Sequence, residues 1–264
     1  YSIPESFTDS FIQWMKERHG YEINPLWIRY SPGVVPAIYW IIQMLTEIED
    51  SVALMSPVYY PFANAIRDTS RTLVDVPLVK DENGYYTMDL ENFEATVQKK
   101  DVKLFILCSP HNPVGRVWRE EELRNLLDVC RRNGVYVIAD EIHHDLIMPG
   151  HRQITAAATG DYDSILITLT SASKTFNLAS CQNAMAIIPN DALRAKYDAM
   201  TRRIKTQSGS SFGYVAYEAA FRGGKEWLEQ AIRLIYGNYQ ILVKGLKQKL
   251  PEAVVSPLEG TYLA

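Results

Sequence analysis

Lys174 is the residue of this chain that most clearly points to chemistry, because of the sequence on either side of it. It lies in the segment Ser171–Asn177 (SASKTFN), which follows the apolar run Ile165–Leu169. A lysine held at the carboxyl end of a buried strand is expected to have a lowered pKa, and a neutral amine is a nucleophile that can form a Schiff base. The small hydroxyl residues beside it, Ser171 and Ser173, suit a phosphate group. Taken by itself, Lys174 is more simply interpreted as a solvated surface lysine.

Polar residues also follow other apolar runs of the chain. Asn112 comes after Leu104–Cys108, and Asp140 comes directly after Val135–Ala139. The segment Ser56–Tyr59 ends a shorter strand. In open α/β sheets, ligands bind outside the carboxyl ends of the strands, so we expect these segments to converge on the lysine. A strand-end amine, carboxylate and amide together suggest a site for pyridoxal phosphate (PLP).

The elements that position these residues are short apolar strands that alternate with longer amphipathic helices. This pattern predicts an α/β fold with a mostly parallel sheet and helices on both faces, in three layers. From Asp191 to Leu250 the pattern is mainly helical, and Gly224–Leu250 is predicted to be one long helix. The predicted strands are Trp27–Tyr30, Val52–Met55, Arg71–Val76, Leu104–Cys108, Val135–Ala139, Ser164–Leu169 and Ala184–Ile188.

The ends of the chain suggest how it is divided into domains. We expect residues 1–250 to form one large domain and residues 251–264 to begin a small C-terminal domain that is largely missing. The chain opens at Tyr1 without an initiator Met, and it stops at Gly260–Ala264 in the middle of a predicted strand. We therefore expect a piece of a longer protein, trimmed at both ends.

The composition excludes several classes of protein. With 47% apolar and 22% charged residues among 264, the chain is an ordinary globular protein. A net charge of −4 without a basic block argues against nucleic acid as a partner, and the apolar stretches are too short to span a membrane. No signal peptide is recognisable. The three cysteines lack CxxC spacing, which predicts free thiols in a reducing cytoplasm.

Three motifs resemble those of a known enzyme family. They are CSPHNPVGRVW at Cys108–Trp118, ADEIHHD at Ala139–Asp145, and SASKTFN at Ser171–Asn177. The chain resembles the fold type I, aspartate aminotransferase-like PLP enzymes over nearly its whole length. It is most similar to the branch of MalY/PatB-type cystathionine β-lyases, which are C–S lyases. The resemblance implies a PLP-dependent transferase-like large domain.

The resemblance also implies roles for the polar residues. Lys174 would bind PLP as a Schiff base and then move a proton at the substrate Cα. Asp140 would bond the pyridinium nitrogen, Asn112 would donate to the phenolic oxygen, and Tyr59 would stack on the ring. A plain turn role for Asn112 before a proline stays open, as does a shift of the stacking role from Tyr59 to Tyr60.

Further residues are implied at the phosphate and at the ring. The phosphate would lie at the start of a helix, where backbone N–H groups are free, with hydroxyl donors nearby. The residues in these implied contacts are Gly33, Val34, Val35, Ser171 and Ser173. Tyr1 matches a family tyrosine that reaches the phosphate of the neighbouring subunit, which implies a homodimer. His143 stands where aminotransferases of this fold usually carry a tyrosine, and this favours the lyase branch.

The implied reaction is the α,β-elimination of L-cystathionine or a related L-cysteine S-conjugate to a thiol, pyruvate and ammonia. The nearest alternative is an aminotransferase that uses the same PLP site. A regulatory binding protein on this fold and a serine hydrolase with the S-x-x-K pattern at Ser171–Lys174 are weaker alternatives, since K-T-G and S-D-N are absent. No metal is expected, because His143 and His144 have no third ligand at a suitable spacing. Neither Arg116 nor Arg152 matches the family arginine that binds the substrate carboxylate.

Overall fold

The fold is built on a seven-stranded sheet in the order β1-β9-β8-β7-β6-β2-β3, with a two-stranded hairpin of β4 and β5 beside it. It was obtained as a computed structural model, which describes residues 3–264. The strands are β1 Ile28–Ser31, β2 Ser51–Leu54, β3 Thr72–Asp75, β4 Val79–Lys80, β5 Tyr86–Thr87, β6 Val102–Cys108, β7 Tyr136–Asp140, β8 Leu166–Thr170 and β9 Ala184–Ile187.

Helices cover both faces of the large sheet. They are α1 Glu5–His19, α2 Val34–Leu45, α3 Pro61–Asp68, α4 Leu90–Lys100, α5 Glu120–Arg132, α6 Ala172–Thr175, α7 Asp191–Arg203, α8 Ser211–Gly223 and α9 Lys225–Lys249. Among residues 3–264, none of these helices combines the length and the apolar character that crossing a membrane requires. The predicted α/β fold with a mostly parallel sheet is confirmed, and so is the long helix near residues 224–250.

The central strands are apolar along their whole length because they are covered twice. Phe105 and Val137 face α4 and α5, where they pack in one apolar cluster with Leu123 and other residues. Ile106 and Ile138 face the opposite way and belong to a second cluster formed with α2, α3 and α7. Because these strands are buried on both faces, their sequences are continuous apolar runs and do not alternate between apolar and polar residues.

Parallel pairing brings the carboxyl ends of β6, β7 and β8 to one edge of the sheet. Cys108 is the register partner of Asp140, and Asp140 is the register partner of Leu169. The chain that follows each strand therefore leaves the sheet at neighbouring points. This edge is where the sequence predicts the ligand site.

Three details of the fold differ from the sequence prediction. The strand β9 is antiparallel to β8, and β1 is antiparallel to β9, so this side of the sheet is mixed. The short hairpin Val79–Thr87 was not predicted. The predicted strand at Gly260–Ala264 is wrong, because only Gly260 forms an isolated bridge, with Ile147, and Thr261 at φ 70° turns the backbone away. The division into domains at residue 250 stays a prediction.

The segment before Tyr262 is held in place by a buried charge cluster. The Arg116 guanidinium lies between the rings of Tyr85 and Trp118, at 4.2 and 4.5 Å from their centroids. Its Nε donates to Glu259 Oε2 at 3.0 Å, and the same carboxylate oxygen accepts from the Val117 N–H at 2.9 Å. Charged groups this deeply buried need all of these partners, so the cluster fixes the path of the chain.

Replacing Arg116 by Met should lower the free energy of unfolding by about 3–5 kcal/mol, because Glu259 would be left buried without its counter-charge. Urea unfolding followed by circular dichroism measures this loss. Arg119→Met is the matched control, since that side chain is 72% exposed and pairs with Glu122 at 3.2 Å. The control should cost less than about 1 kcal/mol. Equal losses in the two variants would contradict a structural role for the buried pair.

Candidate active site

A cavity of about 410 Å³ lies at the carboxyl edge of the sheet. Every predicted cofactor contact within the described part of the chain lines it: Gly33, Val34, Val35, Tyr59, Asn112, Asp140, His143, Ser171, Ser173 and Lys174. Tyr1 lies outside the described residues. Segments far apart in the chain thus meet at one cavity, although the role of each residue stays a prediction.

Lys174 is placed by a short helix that begins directly after β8. Ser171 has extended backbone dihedral angles, and its Oγ accepts a hydrogen bond from the Ser173 N–H at 3.1 Å, which caps α6. A serine cap satisfies a backbone donor that the first helical turn leaves free. The half-buried Lys174 side chain reaches the cavity from this turn.

Asp140 is a buried carboxyl group with little to balance its charge. It is 4% exposed, and its Oδ1 accepts from the Ile142 N–H at 3.1 Å. Burial raises the pKa of Asp140 to about 7, against the opposing effects of this hydrogen bond and of Lys174. A ligand cation beside this carboxyl group would therefore stabilise its charged form.

Asn112 and Cys108 form the wall next to Asp140. The Asn112 side chain is almost completely buried, and its backbone N–H donates to Cys108 Sγ at 3.4 Å. Burial, with a smaller effect of the Asp140 charge, raises the pKa of the Cys108 thiol. Cys108 therefore acts as a neutral packing residue, whereas Asn112 adds a polar residue to the lining of the cavity.

Of the two neighbouring tyrosines, Tyr59 is the one that lines the cavity. Tyr60 is 73% exposed and is not part of the lining. The Tyr59 ring meets Phe62 edge-on at 5.8 Å between centroids, which fixes its orientation at the start of α3. Burial raises the pKa of Tyr59, and Lys174 opposes that rise. The geometry therefore favours Tyr59 for the predicted stacking role.

The N-terminus of α2 forms the end of the cavity that suits an anion. Gly33, Val34 and Val35 line it, and the first N–H groups of a helix have no partner within the helix. The hydroxyl of Ser171 is already engaged, because it donates to the Asn183 carbonyl at 2.6 Å and lies 3.1 Å from the Tyr217 hydroxyl. A phosphate contact from Ser171 would require that hydrogen bond to be exchanged.

His143 presents an unpaired nitrogen in a buried position. The ring is 4% exposed, and its Nδ1 has no hydrogen-bond partner within the described structure. Burial lowers the pKa of His143 to about 4, and the positive charge of Lys174 adds to this effect. A neutral imidazole next to the cavity can accept or donate one hydrogen bond to a ligand.

Sequence reasoning missed the side of the cavity formed by Tyr262. The Tyr262 ring packs against His143, with 5.5 Å between the centroids, and it lines the cavity together with Leu263. Tyr217 and Asn183 are also in the lining and bond Ser171. Their positions depend on contacts between distant segments, for which the local sequence carries no signal.

The fold also brings His144 to two residues that sequence spacing did not connect with it. Donor atoms of His19, His144 and Asp145 all lie within 4.8 Å of one another. This cluster contains His144 but not His143, so the expectation that the pair His143 and His144 holds no metal stays a prediction. Arg18 Nε lies 3.0 Å from Asp145 Oδ1, so this carboxylate already has a fixed positive charge as its partner.

We interpret this cluster as a hydrogen-bond network centred on Asp145. The carboxylate accepts from Trp14 Nε1 at 3.1 Å and from Thr175 Oγ1 at 2.8 Å. Burial alone would raise the pKa of Asp145, but the neighbouring histidines outweigh burial and hold it well below its usual value. Because Thr175 directly follows Lys174, the network ties α1 to the turn that carries the amine.

Comparison with known proteins places the chain in a family. The model of aminotransferase class I and II matches residues 1–263. The chain belongs to this family. It is 37% identical over 265 residues to the cystathionine β-lyase PatB of Bacillus subtilis, covering 100% of this chain and 68% of that protein.

Two further members of the family are similar to this chain. Protein MalY of Escherichia coli is 32% identical over 263 residues, covering 98% of this chain and 66% of MalY. The crystal structure of cystalysin from Treponema denticola, which contains PLP, matches with a TM-score of 0.94 and 33% identity, over 99% of this chain and 66% of that chain. The chain thus spans about two thirds of the length of these family members.

The raised pKa of Asp140 predicts a pH effect on the stability of the ligand-free protein. The folded protein holds this proton more tightly than the unfolded chain, so the contribution of Asp140 is fully present below its usual pKa and is lost as the pH rises through about 7. As the pH rises from 5 to 8.5, the free energy of unfolding of Asp140→Asn should therefore increase relative to that of the parent by about 2–4 kcal/mol.

Urea unfolding at the two pH values measures this gain. Asp161→Asn, at an exposed position, is the control and should leave the pH dependence of the parent unchanged. If the free energies of unfolding of Asp140→Asn and the parent instead differ by the same amount at both pH values, that result would contradict the burial of an uncompensated carboxyl group.

Proposed function

We propose that this chain is a PLP-dependent C–S β-lyase that acts on L-cysteine S-conjugates, with L-cystathionine among the candidates. The observation that carries the proposal is that the Lys174 amine and the Asp140 carboxyl group line one cavity at the ends of neighbouring strands. The similarity to PatB, MalY and cystalysin supports the lyase rather than the aminotransferase as the activity of this site.

The residues of the cavity fit PLP. Asp140 is a buried carboxyl group whose raised pKa would fall next to the protonated pyridine nitrogen of the coenzyme. The unpaired Nδ1 of His143 offers a hydrogen bond to a polar substituent on the ring. The helix start at Val34 offers backbone N–H groups to a phosphate. When bound, PLP supplies the electron sink that stabilises negative charge at the substrate Cα.

The chain's own residues have separate tasks in this proposal. The Lys174 amine accepts the proton from Cα, and its place at the end of α6 brings it into the cavity. The Asp140 carboxylate keeps the ring nitrogen protonated. The Tyr59 ring covers one face of the site, which restricts water and orients the substrate.

The proposed reaction is a net hydrolytic elimination without any oxidant. The Cα–H bond breaks, its proton passes to Lys174, and the electron pair stays at Cα. This pair then forms the Cα–Cβ double bond as the Cβ–S bond breaks, and the electron pair of the Cβ–S bond leaves with the thiolate, which takes up a proton. Overall, the conjugate and one water give the free thiol, pyruvate and ammonium.

The lyase proposal predicts pyruvate without an acceptor. The full chain loaded with PLP should form pyruvate from L-cystathionine or S-alkyl-L-cysteines. For each substrate, free thiol should appear at the same rate as pyruvate. Lactate dehydrogenase coupling and a thiol reagent measure the two products. Lys174→Ala should lower kcat by at least about 10³-fold, because the base at Cα is removed.

An aminotransferase would behave differently in the same assay. It would need an added 2-oxo acid and would form an amino acid from it without thiol release. Efficient amino transfer with no pyruvate or thiol would contradict the lyase proposal, although the PLP site would stand.

We also propose that the protein works as a homodimer in the cytoplasm. The Tyr60 ring beside the cavity, 73% exposed, and the Phe212 ring at the start of α8, 90% exposed, supply apolar area for a second subunit. Free cysteines are consistent with a reducing compartment. Analytical ultracentrifugation tests the dimer, and a monomer that retains full activity would contradict it.

A further inference from the structure

A second cavity, of about 210 Å³, adjoins the cavity of the predicted coenzyme site. The two share part of their lining, namely Ser173, Lys174, Ala179 and Tyr262. The reactive amine and the Tyr262 ring therefore stand at the boundary between them. A substrate held at Lys174 can extend from the first cavity into the second.

The wall of this second cavity is mainly apolar. Trp227, Ala231 and Ile235 lie on one face of α9 at successive turns, and Leu146 faces them from the loop after β7. Asn177 and Thr175 add polar atoms, but no carboxylate or guanidinium is among the described residues that line the cavity. An engineered apolar cavity of about 150 Å³ in another protein accepts benzene, so this volume suits a small apolar group.

The boundary between the cavities is held rigidly. The Thr261 N–H donates to the Leu146 carbonyl at 2.8 Å, and the Met148 N–H donates to the Glu259 carbonyl at 2.9 Å. A side chain at Gly260 would meet Val117 at 2.7 Å, so only glycine fits there. These contacts fix the backbone on which the Tyr262 ring is carried.

We propose that the second cavity binds the sulfur-linked substituent of the substrate and selects apolar S-alkyl and S-aryl cysteines. This rests on the proposed function. The amine acts at Cα, and the sulfur lies two bonds beyond it, so its substituent must leave the first cavity close to Lys174. A larger neighbouring cavity of about 390 Å³ near Leu242 shares only Leu263 with the first and does not reach the amine.

The same reasoning ranks the substrates. The distal half of L-cystathionine carries an ammonium and a carboxylate, and the second cavity has no carboxylate to pair with the ammonium. Burying unpaired charge is unfavourable, whereas a benzyl or propyl group gains from leaving water. S-benzyl-L-cysteine should therefore have a higher kcat/KM than L-cystathionine.

Filling the cavity tests this assignment. Ala231→Leu and Ile235→Phe add bulk to its wall, and each should lower the ratio of kcat/KM for S-benzyl-L-cysteine to that for S-methyl-L-cysteine at least tenfold in the PLP-loaded full chain. Gln230→Leu is the matched control, because this exposed neighbour on α9 is outside the lining. Its ratio should equal that of the parent.

The outcomes separate this inference from the proposed function. If the ratio of the two kcat/KM values is unchanged in both filled variants, and their PLP absorbance and circular dichroism are normal, the assignment of the second cavity is overturned. Pyruvate formation in the same assay would still support the lyase. If one filled variant does not fold, the other decides. If no substrate yields pyruvate, the proposed function fails, and calorimetric binding of S-benzyl-L-cysteine to the same variants then decides whether the cavity holds the substituent.

Discussion

A carboxyl group buried at the end of a central strand is the constraint on which the site depends. Asp140 accepts one backbone hydrogen bond, from Ile142, and burial raises its pKa to about 7. Such a group is unfavourable in its charged form until a cation lies beside it. The parallel pairing of β6, β7 and β8 places this carboxyl group, the Asn112 amide and the Lys174 amine around one space. The fold thus places a carboxyl group that needs a neighbouring positive charge in the same cavity as an amine that can act as a nucleophile.

The surroundings of this space are arranged to hold each group in one position. Ser171 caps the short helix of Lys174, and the Asp145 network holds the next residue, Thr175, against α1. Arg116 and Glu259 fix the path of the chain that ends at Tyr262. These contacts are buried and hydrogen-bonded, so they favour a preformed site over one that is assembled on binding.

The central strands and most of the candidate site could be predicted from the sequence, for a physical reason. Central strands buried on both faces are continuous apolar runs, so β6, β7 and β8 and the polar residues after them are visible without a structure. The long helix α9, Lys225–Lys249, ends within one residue of its predicted bounds, Gly224–Leu250, on either side. The antiparallel direction of β9 was not predicted, because apolar periodicity is the same for either direction of pairing.

Long-range contacts account for the rest of what the sequence could not reveal. His19 and His144 meet at Asp145 although the two histidines are 125 positions apart in the chain, and nothing in local spacing indicates that contact. Tyr262 enters the site only because Arg116 binds Glu259 and Gly260 admits close packing. The second cavity likewise exists only once α9 crosses the turn after Lys174.

The most direct test of the account is borohydride reduction of the PLP-loaded protein, followed by peptide mapping with mass spectrometry. The account predicts one coenzyme label per chain, on the Nζ of Lys174, and no label in Lys174→Ala. A label on any other lysine, or no covalent label in protein that has bound PLP, would contradict it.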